Sequence, residues 1–254
     1  MKDGRLEEVL QKYRDLIDRH GWSSYTLMAL NLLEPLLREL RKTELRNMID
    51  LGCGYKVLTC IIAEYLNISE VYGVDVSEER LSVETPCNVI TINADLTKSF
   101  SHLVGKSFDL IVSLGVIEHL LDWDTFMENV VRLSHKGSFL LISAPNLGSW
   151  INRGLLLLGF QPRDLEISSK RLYGVAPLYK GHAPVGHVKV ATLSAMRQFI
   201  ESYGFRVVRV SSLYAKDNAL TNIVDLLLKP FPSLARRYII LAQRDELDGN
   251  KIHH

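Results

Sequence analysis

The chain has 254 residues, a formal net charge of +1, and 47% hydrophobic and 23% charged residues. This length and composition are typical of a globular protein with enough chain for one large α/β domain, and they exclude a disordered or fibrous chain. The near-zero net charge argues against a general nucleic-acid binder, because such domains carry a clustered basic excess.

Cysteine usage and hydropathy indicate a compartment. Cys53, Cys60 and Cys87 are odd in number and form no C-x-x-C pair. They favour neither a disulfide framework nor a structural zinc site, which indicates a reducing, cytoplasmic compartment. The sequence contains no run of the about 20 apolar residues that a membrane span needs, so we expect no membrane segment. His253 and His254 fit either a native end or a tag remnant.

Two amphipathic helices are predicted before the first strand. Residues 6–20 place apolar side chains at the spacing of one helix face. Gly21 and Trp22 interrupt this pattern, and a second helix is predicted over 25–40 with a kink at Pro35. We interpret residues 1–44 as an N-terminal helical cap.

Short apolar runs alternate with helical segments from residue 47 onward, which is typical of βα units in a parallel sheet. The predicted strands are 47–51, 70–75, 89–93, 108–114 and 138–143, and the predicted helices between them are 57–65, 77–84 and 124–133. The alternation stops over about 146–190 and resumes with a helix over 192–203. Two final strands are predicted at 205–213 and 238–243, so residues 45–254 are expected to form one α/β domain with an insertion.

A glycine-rich turn, Asp50-Leu51-Gly52-Cys53-Gly54, lies between the first strand and the next helix. Glycines allow a ligand to approach the backbone closely at such a turn. The dinucleotide fingerprint G-x-G-x-x-G needs a third glycine at the position of Val57, so a nicotinamide-dependent dehydrogenase is disfavoured.

Three further strand ends carry residues suited to a ligand site. Asp75-Val76 follows the second strand, Asp95-Leu96 the third, and Leu114-Gly115 the fourth. Because ligands of open α/β sheets bind outside the carboxyl ends of the strands, these segments should converge on one crevice.

These motifs together resemble the class I S-adenosylmethionine-dependent methyltransferases, particularly the small-molecule group with a type 11 domain. The resemblance covers residues 45–145 and the C-terminal strand pair. It implies a doubly wound, mostly parallel seven-stranded Rossmann-like sheet with an antiparallel C-terminal strand. It also implies S-adenosylmethionine as cofactor, bound by Asp50, Gly52, Cys53, Gly54, Asp75, Val76, Asp95, Leu96, Leu114 and Gly115.

The resemblance also implies a role for each group. Asp50 and the glycine turn would lie under the methionine part, Asp75 would hold the ribose hydroxyls, and Asp95 the adenine amine. The backbone at Leu114 and Gly115 would line the sulfonium side. A crevice lined by carboxylates suits a sulfonium cation, although Asp75 and Asp95 also fit ordinary turn or helix-capping roles.

Lys56 stands where the family usually carries a further glycine. We expect its side chain to point to solvent, since Gly52 and Gly54 already supply the tight turn. The alternatives are that its ammonium pairs with the cofactor carboxylate or that the side chain weakens cofactor binding.

Two histidines are the candidate catalytic bases, His119 and His187; the alternative is a structural or capping role for His119 and a role in tying the loop backbone for His187. Glu118 and His119 are adjacent on a predicted helix, about 100° apart, so we expect them to face different directions. Some related methyltransferases carry a metal-ligating glutamate at the position of Gly115. We therefore expect no metal site.

The insertion is the expected substrate lid. Residues 151–190 carry six Lys and Arg against two acidic residues, which suits a small anionic or hydroxylated acceptor such as a phosphorylated metabolite or a sugar, although a solvated basic face is the alternative. The run Leu155–Leu158 predicts an apolar helix under the lid or an oligomer contact, which leaves a homodimer open. We predict methyl transfer to an acceptor oxygen. The alternatives are a methyltransferase acting on RNA or protein, and a non-catalytic cofactor-binding scaffold.

Overall fold

The computed structural model describes residues 4–20, 23–99, 105–177, 182–213, 219–228 and 230–245. Its strands are β1 Asn47–Leu51, β2 Glu70–Asp75, β3 Ile90–Asn93, β4 Phe108–Leu114, β5 Ser134–Pro145, β6 Phe205–Leu213 and β7 Arg237–Arg244. Its α-helices are α1 Gly4–Lys12, α2 Arg14–His20, α3 Ser23–Leu40, α4 Val57–Leu66, α5 Glu78–Leu81, α6 Trp123–Arg132, α7 Trp150–Leu157, α8 Leu193–Ser202 and α9 Ala219–Leu228.

The strands form a seven-stranded sheet in the order β3-β2-β1-β4-β5-β7-β6. β1 to β5 pair in parallel, with Asp50 opposite Gly73 of β2 and Val112 of β4. β7 runs antiparallel to both of its neighbours, and Ile240 faces Ile142 of β5 and Val210 of β6. The predicted doubly wound, mostly parallel sheet with an antiparallel C-terminal strand is confirmed.

Helices cover both faces of the sheet. Successive strand residues point to opposite faces, so Met48 belongs to the core under α1, α3 and α4, whereas Ile49 belongs to the core under α6 and α8. Both side chains are fully buried. Since the two faces are covered, the edge at the carboxyl ends of the parallel strands is where a ligand can reach the sheet.

α1 and α2 pack on α4 through apolar side chains and through hydrogen bonds to Glu64. Tyr13 Oη and Lys12 Nζ both donate to Glu64 Oε2 at 2.7 Å, and Arg5 Nη2 donates to the Glu64 carbonyl at 3.0 Å. The prediction of one continuous helix over 6–20 is wrong, because a turn at Tyr13 separates α1 from α2. The buried Tyr13 hydroxyl reaches Glu64 from this turn.

Two elements differ from the predicted pattern. α5 ends at Leu81 instead of extending to residue 84, because the chain turns away there and its carbonyls accept from Lys56. α9 was not predicted. Its burial is the reverse of the usual one for an amphipathic helix, because the charged Asp225 is buried while the apolar Leu226 and Leu227 are each 70% exposed. Within the described residues, no helix is long and apolar enough to cross a membrane.

Cys60 of α4 and Cys87 of the β2–β3 connection form a disulfide, with Cα atoms 5.6 Å apart. The expectation that the cysteines form no disulfide is therefore wrong. The two residues are 27 positions apart in sequence and meet only because the β2–β3 connection folds back on α4. Cys53 is a buried free thiol.

Candidate active site

A cavity of about 900 Å³ opens at the carboxyl ends of the parallel strands. One wall comes from the segments that follow β1 to β4, and the other comes from the lid and the start of β7. The predicted cofactor residues all line this one cavity: Asp50, Gly52, Cys53, Gly54, Asp75, Val76, Asp95, Leu96, Leu114 and Gly115. Both candidate bases, His119 and His187, line it as well.

The glycine turn has the backbone that its sequence predicts. Gly52 and Gly54 have φ values of 90° and 53°, in the left-handed region that glycine adopts without strain. A Cβ at Gly52 would collide with the side chain of Val116, whereas a Cβ at Gly54 would meet no atom within 4 Å. The backbone at Gly54 is therefore open to an approaching ligand.

Asp75 is held in place by the backbone around it. Its Oδ2 accepts from the Gly54 amide and its Oδ1 from the Ser77 amide, both at 2.9 Å. The side chain thus ties the turn after β1 to the end of β2. Each carboxylate oxygen has a second lone pair available, so this structural role leaves acceptor capacity for ligand hydroxyls.

Asp50 is a buried carboxyl next to Asp75. Thr59 Oγ1 donates to its Oδ2 at 2.5 Å. Burial, with a further contribution from the charge of Asp75, raises the pKa of Asp50 to about 7 despite the bond from Thr59. A positive charge nearby would favour the ionised form and lower that pKa.

Asp95 accepts hydrogen bonds within a local turn. Its Oδ1 accepts from the Thr97 amide at 3.0 Å and from Thr97 Oγ1 at 2.7 Å, and Lys98 lies 3.3 Å from Oδ2. These hydrogen bonds, those from Thr97 first, lower the pKa of Asp95. The turn role that sequence left as an alternative is thus present, in a residue that also lines the cavity.

Lys56 does not point to solvent, so that expectation is wrong. The residue is 3% exposed, and its ammonium donates to the carbonyls of Leu81 and Val83. Burial lowers the pKa of its amine. These two acceptors draw the side chain under the β2–β3 connection.

Three residues of the cavity wall, Glu118, His187 and Arg237, form a second polar group. Glu118 is 1% exposed, and its Oε1 lies 2.5 Å from Arg237 Nη2 and 3.9 Å from His187 Nε2. Glu118 Oε2 and His187 Nδ1 are buried and have no hydrogen-bond partner among the described residues. Burial is the main cause that lowers the pKa of His187.

Residues 185–189 of the insertion, which have no regular secondary structure, are fixed beside this group by backbone contacts. The Val188 amide donates to the Glu118 carbonyl at 2.8 Å, and His119 Nδ1 bonds to the Gly186 carbonyl at 2.9 Å. Glu166 accepts from the amides of Val185 and Gly186 at 2.8 Å. The rings of His119 and His187 consequently lie 5.0 Å apart between centroids.

Glu118, His119 and His187 place ligand atoms within 4.8 Å of one another. Glu118 is buried and His119 is exposed, so the two side chains face different directions, yet the bond between His119 and the Gly186 carbonyl keeps its ring near His187. Such a cluster is able to hold a metal ion, but Arg237 already contacts Glu118 Oε1 and its charge opposes a cation there. The absence of a metal site stays a prediction.

Arg237 and Asp164 line the cavity although the sequence did not point to them. Arg237 lies 119 residues from Glu118 in sequence, at the start of β7. Burial raises the pKa of Asp164, opposed by the charges of Arg237, Arg163 and His187. A pattern of acidic and basic residues this far apart gives no local signal, so only the fold reveals the cluster.

Comparisons with known proteins define the class. A family model described as a methyltransferase domain matches residues 20–210. The match covers well over half of the 254 residues, and the chain belongs to this family.

Two curated relatives are named for methylation of different acceptor atoms, oxygen and nitrogen. A ubiquinone biosynthesis O-methyltransferase of Sinorhizobium fredii is 27% identical over 103 residues, 39% of this chain and 41% of that protein. An ajmaline N-methyltransferase of Rauvolfia serpentina is 28% identical over 106 residues, 38% of this chain and 35% of that protein. The chain thus spans less than half of the length of either relative.

Solved structures agree with the fold. An S-adenosylmethionine-dependent methyltransferase of Mesorhizobium loti has a TM-score of 0.55 and 18% identity, covering 84% of this chain and 98% of that one. One of Archaeoglobus fulgidus has a TM-score of 0.56 and 17% identity, with coverages of 91% and 99%. At such identity the likeness shows the fold alone.

The chain thus belongs to a methyltransferase-domain family, and it shares its fold with solved methyltransferases that depend on S-adenosylmethionine as cofactor. The donor set of the cavity fits this cofactor. The buried carboxyls Asp50 and Asp75 suit a ligand with positive charge and hydroxyl groups, and the open backbone at Gly54 admits it closely.

Proposed function

We propose that the enzyme methylates an oxygen of a small hydroxylated acceptor, with His187 as the general base. The observation that carries the proposal is a pair of buried atoms, His187 Nδ1 and Glu118 Oε2, which have no hydrogen-bond partner among the described residues and belong to two residues that line the cavity. Because a buried polar atom without a partner is costly, these two atoms are suited to bind the polar groups of an acceptor.

His187 is suited to accept a proton. Burial lowers the pKa of its imidazole, so the ring is neutral near pH 7 and one nitrogen carries a lone pair. Glu118 lies near Nε2 and favours the tautomer with the proton on that nitrogen. Nδ1 then carries the lone pair and accepts the proton of the acceptor hydroxyl.

Asp50, Asp75 and the glycine turn would hold the cofactor, which supplies a methyl group on a positively charged sulfur. Asp75 would accept from the ribose hydroxyls, and the ionised Asp50 would face the methionine part. Asp95, Leu96, Val76 and Cys53 would line the adenosine side, with the backbone of Leu114 and Gly115 near the sulfur. In this scheme the protein contributes orientation and one proton transfer.

The charge of the acceptor side favours a hydroxylated over an anionic acceptor. Three carboxyl groups line that side, those of Glu118, Asp164 and Glu166, against the two guanidinium groups of Arg163 and Arg237. Among the described lid cations, Arg163 lines the cavity, while Lys189 lies 5.2 Å from the Trp123 ring centre instead. The named O-methyltransferase relative supports oxygen as the acceptor atom.

Other parts of the proposal concern partners and location. A concave cavity with two walls supports a small molecule over RNA or protein as acceptor. The exposed Leu156, Leu157 and Leu158 support the homodimer that the sequence left open. We also retain the division of the chain at residue 45. A cytoplasmic location is the remaining part of the proposal. The Cys60–Cys87 disulfide argues against that location, because reducing compartments disfavour such bonds.

The test is an acceptor screen with the purified chain and S-adenosylmethionine. Phenols, catechols, sugars, phosphorylated sugars and amines are supplied separately, and methylated product and S-adenosylhomocysteine are measured by mass spectrometry. We expect O-methylated product from an uncharged hydroxyl compound and little from its phosphorylated counterpart. Product from amines alone, or only from RNA or protein, would contradict the proposal.

A further inference from the structure

Lys56 connects two parts of the cavity wall from an unusual backbone position. It precedes α4 with φ of 62°, a left-handed conformation that is uncommon for a residue with a side chain. Its ammonium reaches the carbonyls of Leu81 and Val83, the latter at 2.6 Å. A single buried side chain therefore joins the start of α4 to the chain beyond α5.

Lys56 holds residues 76–89, the β2–β3 segment. It begins directly after Asp75, and its members Val76 and Arg80 line the cavity. Arg80 lies 5.9 Å from the ring centre of Tyr55, another residue of the cavity wall. The C-terminal end of the β2–β3 segment is attached to α4 by the Cys60–Cys87 disulfide.

We propose that Lys56 is a positioning residue for cofactor binding, whose ammonium holds the β2–β3 segment in the conformation that receives the adenosine part of S-adenosylmethionine. This inference rests on the placement of the cofactor proposed above. The alternative role considered from the sequence, pairing with the cofactor carboxylate, is disfavoured because two carbonyls already accept from the ammonium.

The backbone at residue 56 does not itself require lysine. Glycine adopts a φ of 62° without strain, so a turn with glycine there would form more easily. What glycine lacks is a donor for the carbonyls of Leu81 and Val83. Without that donor, the segment must be ordered when the cofactor binds, and this ordering lowers the affinity.

Three variants separate the side chain from the backbone. Lys56→Met keeps most of the apolar stem and removes the ammonium, Lys56→Gly relieves the backbone and also removes it, and Lys56→Arg restores donors. The exposed Lys42, which pairs with Glu39 at 2.9 Å, provides the matched control Lys42→Met. The readouts are the Kd for S-adenosylhomocysteine by calorimetry, and kcat and the KM for S-adenosylmethionine.

We expect Lys56→Met and Lys56→Gly to raise the Kd and KM by about tenfold with kcat within about twofold of the wild type. Lys56→Arg should recover at least part of that affinity, and Lys42→Met should match the wild type. A wild-type Kd in Lys56→Met overturns the inference, even if the melting temperature falls. If Asp75→Ala also leaves Kd unchanged, the proposed cofactor placement fails as well.

A measurement on the wild-type protein covers the case in which the variants do not fold. Hydrogen exchange of the amides at residues 78–84 is followed with and without S-adenosylhomocysteine. We expect saturation with this ligand to slow exchange by less than about threefold, because Lys56 already orders the segment in the free protein. Rapid exchange in the free protein that becomes strongly protected on binding would overturn the inference.

Discussion

His187 Nε2 lies 3.9 Å from Glu118 Oε1 in the wall of the cavity, and the same carboxylate oxygen lies 2.5 Å from Arg237 Nη2. The three residues come from the lid, from the short 3-10 helix Ile117–His119 after β4, and from the start of β7. The lid thereby supplies the candidate base while the sheet supplies the groups that orient it. Proton transfer to His187, as proposed, would require the insertion to stay in contact with Glu118.

Replacing His187 tests the base directly. We expect His187→Ala to lower kcat by about 10²- to 10³-fold, the usual range for loss of a general base. Because burial lowers the pKa of His187, the neutral base should persist below pH 6.5, and wild-type kcat/KM should fall only at more acidic pH. The variant should lack that acidic fall.

The exposed His135, which pairs with Asp109, supplies a matched control in His135→Ala. Single-turnover kinetics separate chemistry from acceptor binding. A normal single-turnover rate in His187→Ala, with only the acceptor KM raised, would show that His187 binds the acceptor without taking its proton.

Cofactor binding should release a proton from Asp50. Its pKa of about 7 in the free protein lies above the ordinary value, so the group is largely protonated at pH 6. A cationic ligand favours the ionised carboxylate, and affinity should therefore rise between pH 6 and pH 8. Calorimetry in two buffers of different ionisation enthalpy measures the release.

We expect proton release on binding S-adenosylmethionine at pH 6 and almost none at pH 8, with the release abolished in Asp50→Asn. The same raised pKa means that Asp50 favours the folded state most at low pH, with this contribution lost as the pH rises to 7. Equal proton release in Asp50→Asn and wild type would assign the proton to another group.

The Cys60–Cys87 disulfide should contribute substantially to stability. It closes a loop over 27 positions, for which chain entropy predicts about 3 to 4 kcal/mol. A dithiol reductant should lower the free energy of unfolding in urea by about that amount. The double variant Cys60→Ala, Cys87→Ala should be unaffected by reductant, and an equal response of both proteins would rule out the disulfide as the cause.

Chelation tests the expected absence of a metal requirement. Arg237 occupies one oxygen of Glu118, and His119 Nδ1 bonds to a carbonyl, so the cluster with His187 is poorly prepared for a dication. After dialysis against a chelator, activity should stay within about twofold of the starting value. Loss of activity that returns with added Mg²⁺ or Zn²⁺ would instead assign Glu118, His119 and His187 as ligands.

The sheet and the cofactor wall were predictable because their signals are local. Glycines in a turn such as Gly52 and Gly54, and acidic residues at strand ends such as Asp50 and Asp75, follow from how parallel strands end. The structure brings these residues to one cavity, as expected from their positions. Their binding roles remain predictions for the measurements above.

Contacts between distant parts of the chain were not predictable. Glu118 and Arg237 have no sequence relationship that marks them as partners, and Cys60 and Cys87 meet through a folded-back connection. The prediction that Lys56 points to solvent failed for the same reason, because the carbonyls that accept from its ammonium belong to the distant residues Leu81 and Val83. In α9, Ile223, Leu226 and Leu227 are exposed while Asp225 is buried, the reverse of the usual pattern of an amphipathic helix.

The most direct test of the cofactor site is a calorimetric titration of the wild type and Asp75→Ala with S-adenosylmethionine, S-adenosylhomocysteine and NAD. Asp122→Asn, at a helix cap where Asp122 bonds to Thr125 at 3.0 Å, serves as the control. We predict that both adenosyl ligands bind, that NAD does not, and that Asp75→Ala weakens binding by at least about 30-fold. Tighter binding of NAD, or an unchanged affinity of Asp75→Ala for the two adenosyl ligands, would contradict the assignment of this cavity as the S-adenosylmethionine site.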